Sequence, residues 1–249
     1  MRVAIMQPYL FPYIGYFQLI AAVDRFVIYD TVKYTKKGWI NRNRFLRDGQ
    51  PVTFTLPIAR GADDLAIGQR HVAADFSPDR LCAQIAGAYR RAPFFAETMP
   101  LIESVLHPRA ETLFGQLQAG LTRCCAHLGI ATPILTASEV EGPTDLRRQD
   151  RVLALCRHLS ATAYVNPIGG TALYDPAEFA AHGISLRFLK ARLQPYPQFG
   201  RPFVPWLSII DVLMFVGAAG TRATLLDAFD LVAGPEADQD EVPPFTDAA

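Results

Sequence analysis

Three tyrosines, two prolines and a glycine crowd the first loop of the chain, within residues 6–19 (MQPYLFPYIGYFQL). The hydroxyls of Tyr9, Tyr13 and Tyr16 can donate hydrogen bonds and stay neutral near pH 7. The loop joins an apolar, strand-like run to a run with helical spacing, and the first amides of a helix attract phosphate or carboxylate groups. We therefore predict that this loop faces a ligand. Tyr13 and Tyr16 are candidate catalytic residues, and Tyr9 and Gln7 are candidate binding residues.

The helix start reads Tyr13-Ile14-Gly15-Tyr16, which has the spacing of the His-x-Gly-His motif of nucleotidylyltransferase-like folds. Tyrosine replaces both histidines, so stabilisation of transition-state charge by an imidazolium is lost. The pattern keeps open an adenylyl- or nucleotidyltransferase that uses ATP. The alternative is that these tyrosines are amphipathic residues at the edge of the core.

A basic segment follows the second predicted strand: residues 31–47 (TVKYTKKGWINRNRFLR) contain six bases and no acid. Loops at the carboxyl ends of neighbouring parallel strands converge on one crevice, so we expect this segment to face the tyrosine loop. Arginine and lysine suit phosphate or carboxylate, and asparagine suits an amide or a sugar hydroxyl. The alternative is a solvated charged turn. The candidate binding residues are Lys33, Lys36, Lys37, Trp39, Asn41, Arg42, Asn43 and Arg44, and the preceding Asp30 is a candidate catalytic residue.

Other candidate residues come later in the chain. Asp211, a candidate catalytic residue, lies in an apolar helical run, where a carboxylate is costly unless it is paired, so it either faces the site or caps or orients a buried basic partner. Gln198 lies in a proline-rich loop that could close over a ligand. Gly169 and Gly170 form a tight loop after a predicted strand, where the backbone could approach a ligand closely or simply turn.

Strand-like and helix-like runs alternate at both ends of the chain, which indicates an α/β fold. We predict a parallel-sheet core of the nucleotidylyltransferase-like or Rossmann-like type, with a helical middle segment. One domain is expected over residues 1–233, with a helical insertion at about 77–130. Residues 234–249 hold five acids and no base, and they are expected to form a disordered tail.

Bulk composition is that of a soluble globular protein: of 249 residues, half are apolar and 19% are charged, with no net charge. The body is not basic enough to predict binding to duplex DNA. The four cysteines show no paired spacing and are expected to be buried, reduced thiols of a cytoplasmic protein. No membrane span is predicted, because the most apolar late run is too short and contains an acid.

Four blocks together resemble the WbqC-like protein family: MQPYLFPYIGYFQLI, VDRFVIYDTVKYTKKGWINRNRFL, YVNPIGGTALYDPAEFAAHGISLRFL and QFGRPFVPWLSIIDVLMFVG. They occur in this order and reach residue 217, so the resemblance covers most of the chain. It implies a role in the biosynthesis of bacterial O-antigen or another surface polysaccharide, with transfer of glycine or another amino acid to a sugar.

The function we expect is transfer of an aminoacyl (glycyl-like) or acyl group from an activated donor to an amine or hydroxyl of a nucleotide sugar or another sugar. No cofactor is assigned. The sequence leaves the donor open between a phosphopantetheine thioester on an acyl or peptidyl carrier protein, an aminoacyl adenylate and an aminoacyl-tRNA. Two alternatives stay open beside the transferase, namely the ATP-dependent nucleotidyltransferase and a non-catalytic binding subunit of a glycan assembly complex.

Overall fold

The computed structural model describes residues 1–107, 110–140, 146–200 and 202–234. The predicted acidic tail lies outside the described residues from residue 235 onward. The described strands are β1 (Arg2–Met6), β2 (Arg25–Ile28), β3 (Arg42–Arg47), β4 (Gln50–Thr55), β5 (Ile134–Thr136), β6 (Ala163–Pro167), β7 (Ser185–Ala191) and β8 (Phe229–Val232). The described α-helices are α1 (Ile14–Ala21), α2 (Pro78–Tyr89), α3 (Phe95–Leu106), α4 (Leu113–His127), α5 (Arg148–His158), α6 (Pro176–Ala181) and α7 (Ile209–Thr224). Two 3₁₀ segments span Ile67–Gln69 and Ile168–Leu173.

Six strands form the main sheet, in the order β5-β2-β1-β6-β7-β8. Every neighbouring pair is parallel except β7 and β8. The chain moves from β1 to β2 on one side and returns to β6 on the other side of β1. This reversal is the topological switch point at which open α/β sheets form a crevice beyond the carboxyl ends of their strands. The predicted α/β fold with a parallel sheet is confirmed.

Side chains of the sheet alternate between two cores, as the pleat of a strand requires. In β1, Ala4 packs with α1 and α7, whereas Val3 and Ile5 pack with α5 and α6. Aromatic rings fill both sides, with Phe26 of β2 in the first core and Tyr164 of β6 in the second. Both faces of the sheet are therefore covered, and the carboxyl edge is left as the place for a site.

The middle of the chain is helical, as predicted, with α2, α3 and α4 packed beside α7 and the first 3₁₀ segment. β4 pairs with β3 in a separate antiparallel hairpin, outside the main sheet. Sequence reasoning missed β3 because its bases dominate the pattern, although burial of Asn43 and Phe45 follows the two-residue period of a strand. No helix in the described ranges is long and apolar enough to cross a membrane.

A buried carboxylate joins three distant segments on the first core. Asp211, in the first turn of α7, is fully buried. Its Oδ2 accepts a hydrogen bond from the Tyr89 hydroxyl (2.7 Å). Its Oδ1 accepts from the Tyr196 hydroxyl (2.7 Å) and from Nε2 of Gln198 (2.8 Å). Gln198 also donates to the Val204 carbonyl and accepts from the Val204 amide. Asp211 therefore helps to fix the loop that contains Gln198. These partners are neutral hydroxyl and amide donors, whereas the sequence suggested a buried basic partner, and the catalytic role assigned to Asp211 stays a prediction.

Replacing Asp211 by alanine should lower the free energy of unfolding by about 3 kcal/mol, because one buried and two half-buried donors lose their acceptor. Burial raises the pKa of Asp211, an effect that its three hydrogen bonds oppose. The folded state therefore holds the proton more tightly than the unfolded state, and wild-type stability should fall as the pH rises above the ordinary carboxyl pKa. Asp211→Asn should lack this component. Urea unfolding from about pH 4 to about pH 7 measures both effects.

Asp48→Asn is the matched control, since Asp48 is an exposed aspartate in the β3–β4 turn and has a positive φ that asparagine tolerates. A pH profile of Asp211→Asn that coincides with that of wild type would contradict the linkage.

Candidate functional site

Four chain segments meet at the carboxyl edge of the sheet beside the switch point. Gln7 follows β1, Tyr29 and Asp30 follow β2, and Asn166 lies near the end of β6. The predicted loop at Gly169 and Gly170 is the 3₁₀ segment after β6. The structure therefore brings these candidates to one edge, as the convergence of parallel strands predicts.

Close packing fixes the β6 side of this edge. A Cβ atom at Gly170 would overlap the side-chain amide nitrogen of Asn166, so the segment passes there only because residue 170 is glycine. The Tyr164 hydroxyl lies 3.2 Å from Oδ1 of Asn166 and 3.1 Å from the Tyr174 hydroxyl. Gly170 therefore serves a turn held by its neighbours, which is the second of the two roles predicted for it.

A cleft of about 280 Å³ opens at this edge, on the face covered by α5. The residues that line it are Tyr29, Val32, Arg148, Gln149, Val152, Ala172, Leu173 and Tyr174. Two phenols, a guanidinium and an amide thus surround an otherwise apolar floor, the usual composition of a small-molecule site.

The first turn of α5 forms one wall of the cleft. Its N-cap residue, Arg147, makes no side-chain capping hydrogen bond. Helix-starting amides without a cap favour an anion, and the guanidinium of Arg148 adds a positive charge. Arg148 has φ of 51°, a left-handed conformation that is uncommon outside glycine. Asp150, the acid of this turn, lies on the other side of the helix, in the groove against α6.

The two cleft tyrosines are neutral hydrogen-bond donors. Burial raises the pKa of Tyr29, although the nearby Arg151 lowers it in part. Burial also raises the pKa of Tyr174. Sequence reasoning missed Tyr29, Tyr174 and Arg148: Arg148 lies outside the four blocks, and the spacing within the blocks assigns no chemistry to Tyr29 or Tyr174. The available signal was position alone, since Tyr29 directly follows a predicted strand.

Asp30 connects the end of β2 to two neighbouring segments by hydrogen bonds. Its Oδ1 accepts a hydrogen bond from the Ser138 amide (3.0 Å), and its backbone carbonyl accepts one from the Gly68 amide (3.0 Å). The carboxylate is mostly buried. These contacts describe a positioning role, and the catalytic role assigned from the sequence stays a prediction.

The tyrosine loop is enclosed by the protein. Tyr9, Tyr13 and Tyr16 are buried, and the Tyr16 hydroxyl donates to the backbone carbonyl of Gln7 (3.0 Å). The Tyr9 and Tyr16 rings lie 5.6 Å apart. A Cβ atom at Gly15 would overlap the Tyr13 ring, which explains the Tyr-x-Gly spacing through packing. The structure thus matches the alternative of aromatic core packing, and the catalytic roles of Tyr13 and Tyr16 stay predictions.

The basic segment packs against the tyrosine loop, as predicted. Nδ2 of Asn43 donates to the carbonyls of Leu10 (3.1 Å) and Phe11 (2.8 Å). Asn41 accepts from the Tyr34 hydroxyl (2.9 Å) and donates to the Leu56 carbonyl (2.8 Å). Both asparagines are buried, so their amides satisfy the backbone of neighbouring loops.

Two of the six cations of the segment have a structural use. The guanidinium carbons of Arg42 and Arg44 each lie 5.3 Å from the ring centroid of Trp39. Arg42 also donates to the carbonyls of Gly38 and Lys37, and Arg44 to the carbonyl of Trp206 (3.4 Å). The exposed cations of the segment are Lys33, Lys36, Lys37 and Arg47, and Lys36 pairs with Asp63 (2.6 Å).

The cysteine thiols are poor nucleophiles. All four are buried and free. Burial raises the pKa of Cys82 to about 11 and the pKa values of Cys125 and Cys156 to about 12, so a negligible fraction is thiolate near neutral pH. The described residues also contain no cluster of three or more His, Cys, Asp or Glu side chains that could hold a metal ion.

Comparison with known proteins agrees with the resemblance seen in the four sequence blocks. Residues 7–223 match the WbqC-like protein family. The chain is 29% identical over 220 residues to the uncharacterized protein Rv1507c of Mycobacterium tuberculosis (strain ATCC 25618 / H37Rv), an alignment that covers 87% of this chain and 94% of the relative. No solved structure matches the chain. With most of its length matched, the chain belongs to the WbqC-like protein family.

Proposed function

We propose that this protein is a transferase of bacterial surface-glycan (O-antigen) biosynthesis that moves an aminoacyl or acyl group from an activated donor to a sugar. The observation that carries the proposal is the cleft at the switch point. It joins a helix start whose N-cap residue makes no side-chain capping bond, and a guanidinium, to two neutral phenols, beside a loop with three lysines.

The cleft offers distinct contacts to the two substrates. The Tyr29 and Tyr174 hydroxyls suit the hydroxyls and amide of a sugar, and their rings suit its apolar face. The first amides of α5 and the Arg148 guanidinium suit the carbonyl oxygen that becomes negative during acyl transfer. Lys33 and Lys37 lie on the loop that leaves the cleft at Val32, where they suit the phosphates of a nucleotide sugar or of a phosphopantetheine arm on a carrier protein.

The reaction we propose is direct. The sugar amine attacks the carbonyl carbon of the donor thioester, and a carbon–nitrogen bond forms as the carbon–sulfur bond breaks. The amine proton ends on the departing thiolate. The buried thiols argue against an acyl-enzyme intermediate on cysteine. Burial raises the pKa of Cys82 to about 11 and the pKa values of Cys125 and Cys156 to about 12, so these thiols do not ionise readily.

One observation favours a different function. Among the described residues that line the cleft there is no carboxylate, histidine or lysine to act as a general base. A non-catalytic binding subunit of a glycan assembly complex needs no such group, so it is the second candidate. ATP-dependent nucleotidyl transfer is less favoured, because the Tyr16 hydroxyl at the start of α1 already bonds the Gln7 carbonyl.

The proposal is tested by incubating the protein with nucleotide-linked amino and neutral sugars and with acetyl or glycyl donors, either as phosphopantetheine thioesters or as adenylates. Mass spectrometry should detect the sugar with one added acyl mass. Arg148→Gln should lower kcat/KM at least about tenfold, because one cationic donor to the developing oxyanion is lost.

Arg147→Gln is the matched control, since Arg147 is exposed in the same turn but does not line the cleft. Thermal stabilisation by nucleotide sugars without turnover on any donor would support the binding subunit. Release of pyrophosphate from ATP without acyl transfer would support the nucleotidyltransferase.

A second prediction concerns the thiols. Iodoacetamide applied to the native protein should leave transfer unchanged, because burial raises the pKa of Cys125 and Cys156 to about 12. Intact-protein mass spectrometry after a donor pulse should show no acylated protein. An acyl adduct that maps to a cysteine would refute direct transfer.

A further inference from the structure

Arg70 carries a buried charge with few partners. Its residue is only 3% exposed, and its Nε and Nη2 atoms find no hydrogen-bond partner among the described residues. Its backbone is fixed on both sides, since its amide donates to the Ile67 carbonyl (3.2 Å) and its carbonyl accepts from the Leu113 amide (2.8 Å). A guanidinium held in this way is costly unless an anion can reach it.

The surroundings of Arg70 are cationic. The guanidinium lies 5.1 Å from the centroid of the Tyr34 ring. Arg70, Arg42 and Lys36 each partly offset the effect of burial, which raises the Tyr34 pKa. The backbone of Lys33 forms an isolated antiparallel β-bridge with Ala66, which precedes Arg70 in the chain. Arg70 therefore lies against a phenol ring whose pKa Arg42 and Lys36 also lower.

Asp63 is the anion that pairs with Lys36, on a loop that also passes Arg70. Its Oδ1 lies 2.6 Å from Nζ of Lys36, and both side chains are largely exposed. Arg70 and Lys33 contribute, after Lys36, to lowering the Asp63 pKa. The loop that carries Asp63 also lies against the guanidinium, because a Cβ atom at Gly61 would come within 3.2 Å of Nη1 of Arg70.

We propose that Lys33, Lys36 and Arg70 form a binding site for phosphate groups, and that Asp63 occupies this site as an internal competitor. Arginine and lysine together recognise phosphate through charge-assisted hydrogen bonds. A dianionic phosphate attracts the three cations more strongly than the single exposed carboxylate, so it displaces Asp63 and moves the 60–65 loop away from Arg70.

The phosphate site adjoins the cleft. The Ile67 amide donates to the carbonyl of Val32 (2.9 Å), and the Val32 side chain lines the cleft directly before Lys33. A substrate with its sugar in the cleft would extend its diphosphate toward Lys33 and Arg70. This step rests on the proposed function and specifies its acceptor as a sugar that carries a diphosphate group.

Inorganic pyrophosphate tests the site without a sugar or an acyl group, by isothermal titration of the full chain in low salt. Wild type should bind it, and Asp63→Asn should bind about threefold more tightly, since an exposed competing ion pair is removed. Asp64→Asn is the matched control, because it removes the same charge from the neighbouring residue of the same loop. It should bind as wild type does.

The cations are tested in the same assay. Arg70→Gln should weaken pyrophosphate binding at least about tenfold, because a cationic hydrogen-bond donor is lost. Lys36→Gln should weaken it less, and Arg47→Gln, at an exposed position on the β3–β4 hairpin, should have no effect. Circular dichroism melting checks the fold of Arg70→Gln, and the exposed Asp63 and Lys36 variants keep the test decisive if that variant unfolds.

Equal gains for Asp63→Asn and Asp64→Asn would overturn the site, because net charge alone would then explain them. Absence of pyrophosphate binding in both wild type and Asp63→Asn would overturn it as well. If pyrophosphate binds with the expected pattern but no acyl transfer occurs, the proposed function fails and the phosphate site stands. If acyl transfer occurs but pyrophosphate does not bind, the phosphate site fails and the proposed function stands.

Discussion

The structure depends on the pairing of one short strand with two neighbours that come from distant parts of the chain. β1 pairs in parallel with β2, which follows it almost directly, and with β6, which comes more than 150 residues later. A parallel strand cannot follow its neighbour through a tight turn, so helices must cover both faces of the sheet. Because β2 and β6 lie on opposite sides of β1, the connections on the two sides diverge, and a crevice remains at the carboxyl ends of the strands. The position of the cleft is thus a consequence of strand order, and side chains decide only what it can bind.

The fold could be predicted from the sequence because its signals are local. An apolar run such as Arg2–Met6, a Ser-Pro-Asp helix start at 77–79 and a glycine at 183 mark their elements without knowledge of the rest. β3 and β8 were not predicted from the sequence, because each is an antiparallel strand that contains charged residues. In β3 the bases alternate with Asn43 and Phe45, and only the hairpin with β4 shows which side is buried.

The candidate site could be predicted only in part, because burial is not a local property. Tyrosine suits both a wet binding surface and the edge of a core, and the sequence cannot show that the Tyr16 hydroxyl bonds Gln7. Charge is equally ambiguous: Arg42 and Arg44 follow the same pattern as the lysines, yet they stack on Trp39. Tyr29 and Tyr174 meet at the cleft through strand order and the 3₁₀ segment, which no spacing in the sequence encodes.

The described lining of the cleft includes no general base, and this bears on which acceptor the proposed transferase would use. A sugar hydroxyl is a weak nucleophile until a base removes its proton, whereas a neutral amine attacks a thioester directly. An amine must first lose its own proton, and nearby positive charges disfavour the ammonium form. Arg148 lines the cleft, and Lys33 follows directly after the lining residue Val32. These charges lower the pKa of a bound amino group while they attract the diphosphate of the same substrate. On this proposal the cationic surroundings, rather than a general base, keep the acceptor amine unprotonated. They therefore favour an amino sugar over a neutral sugar as the acceptor.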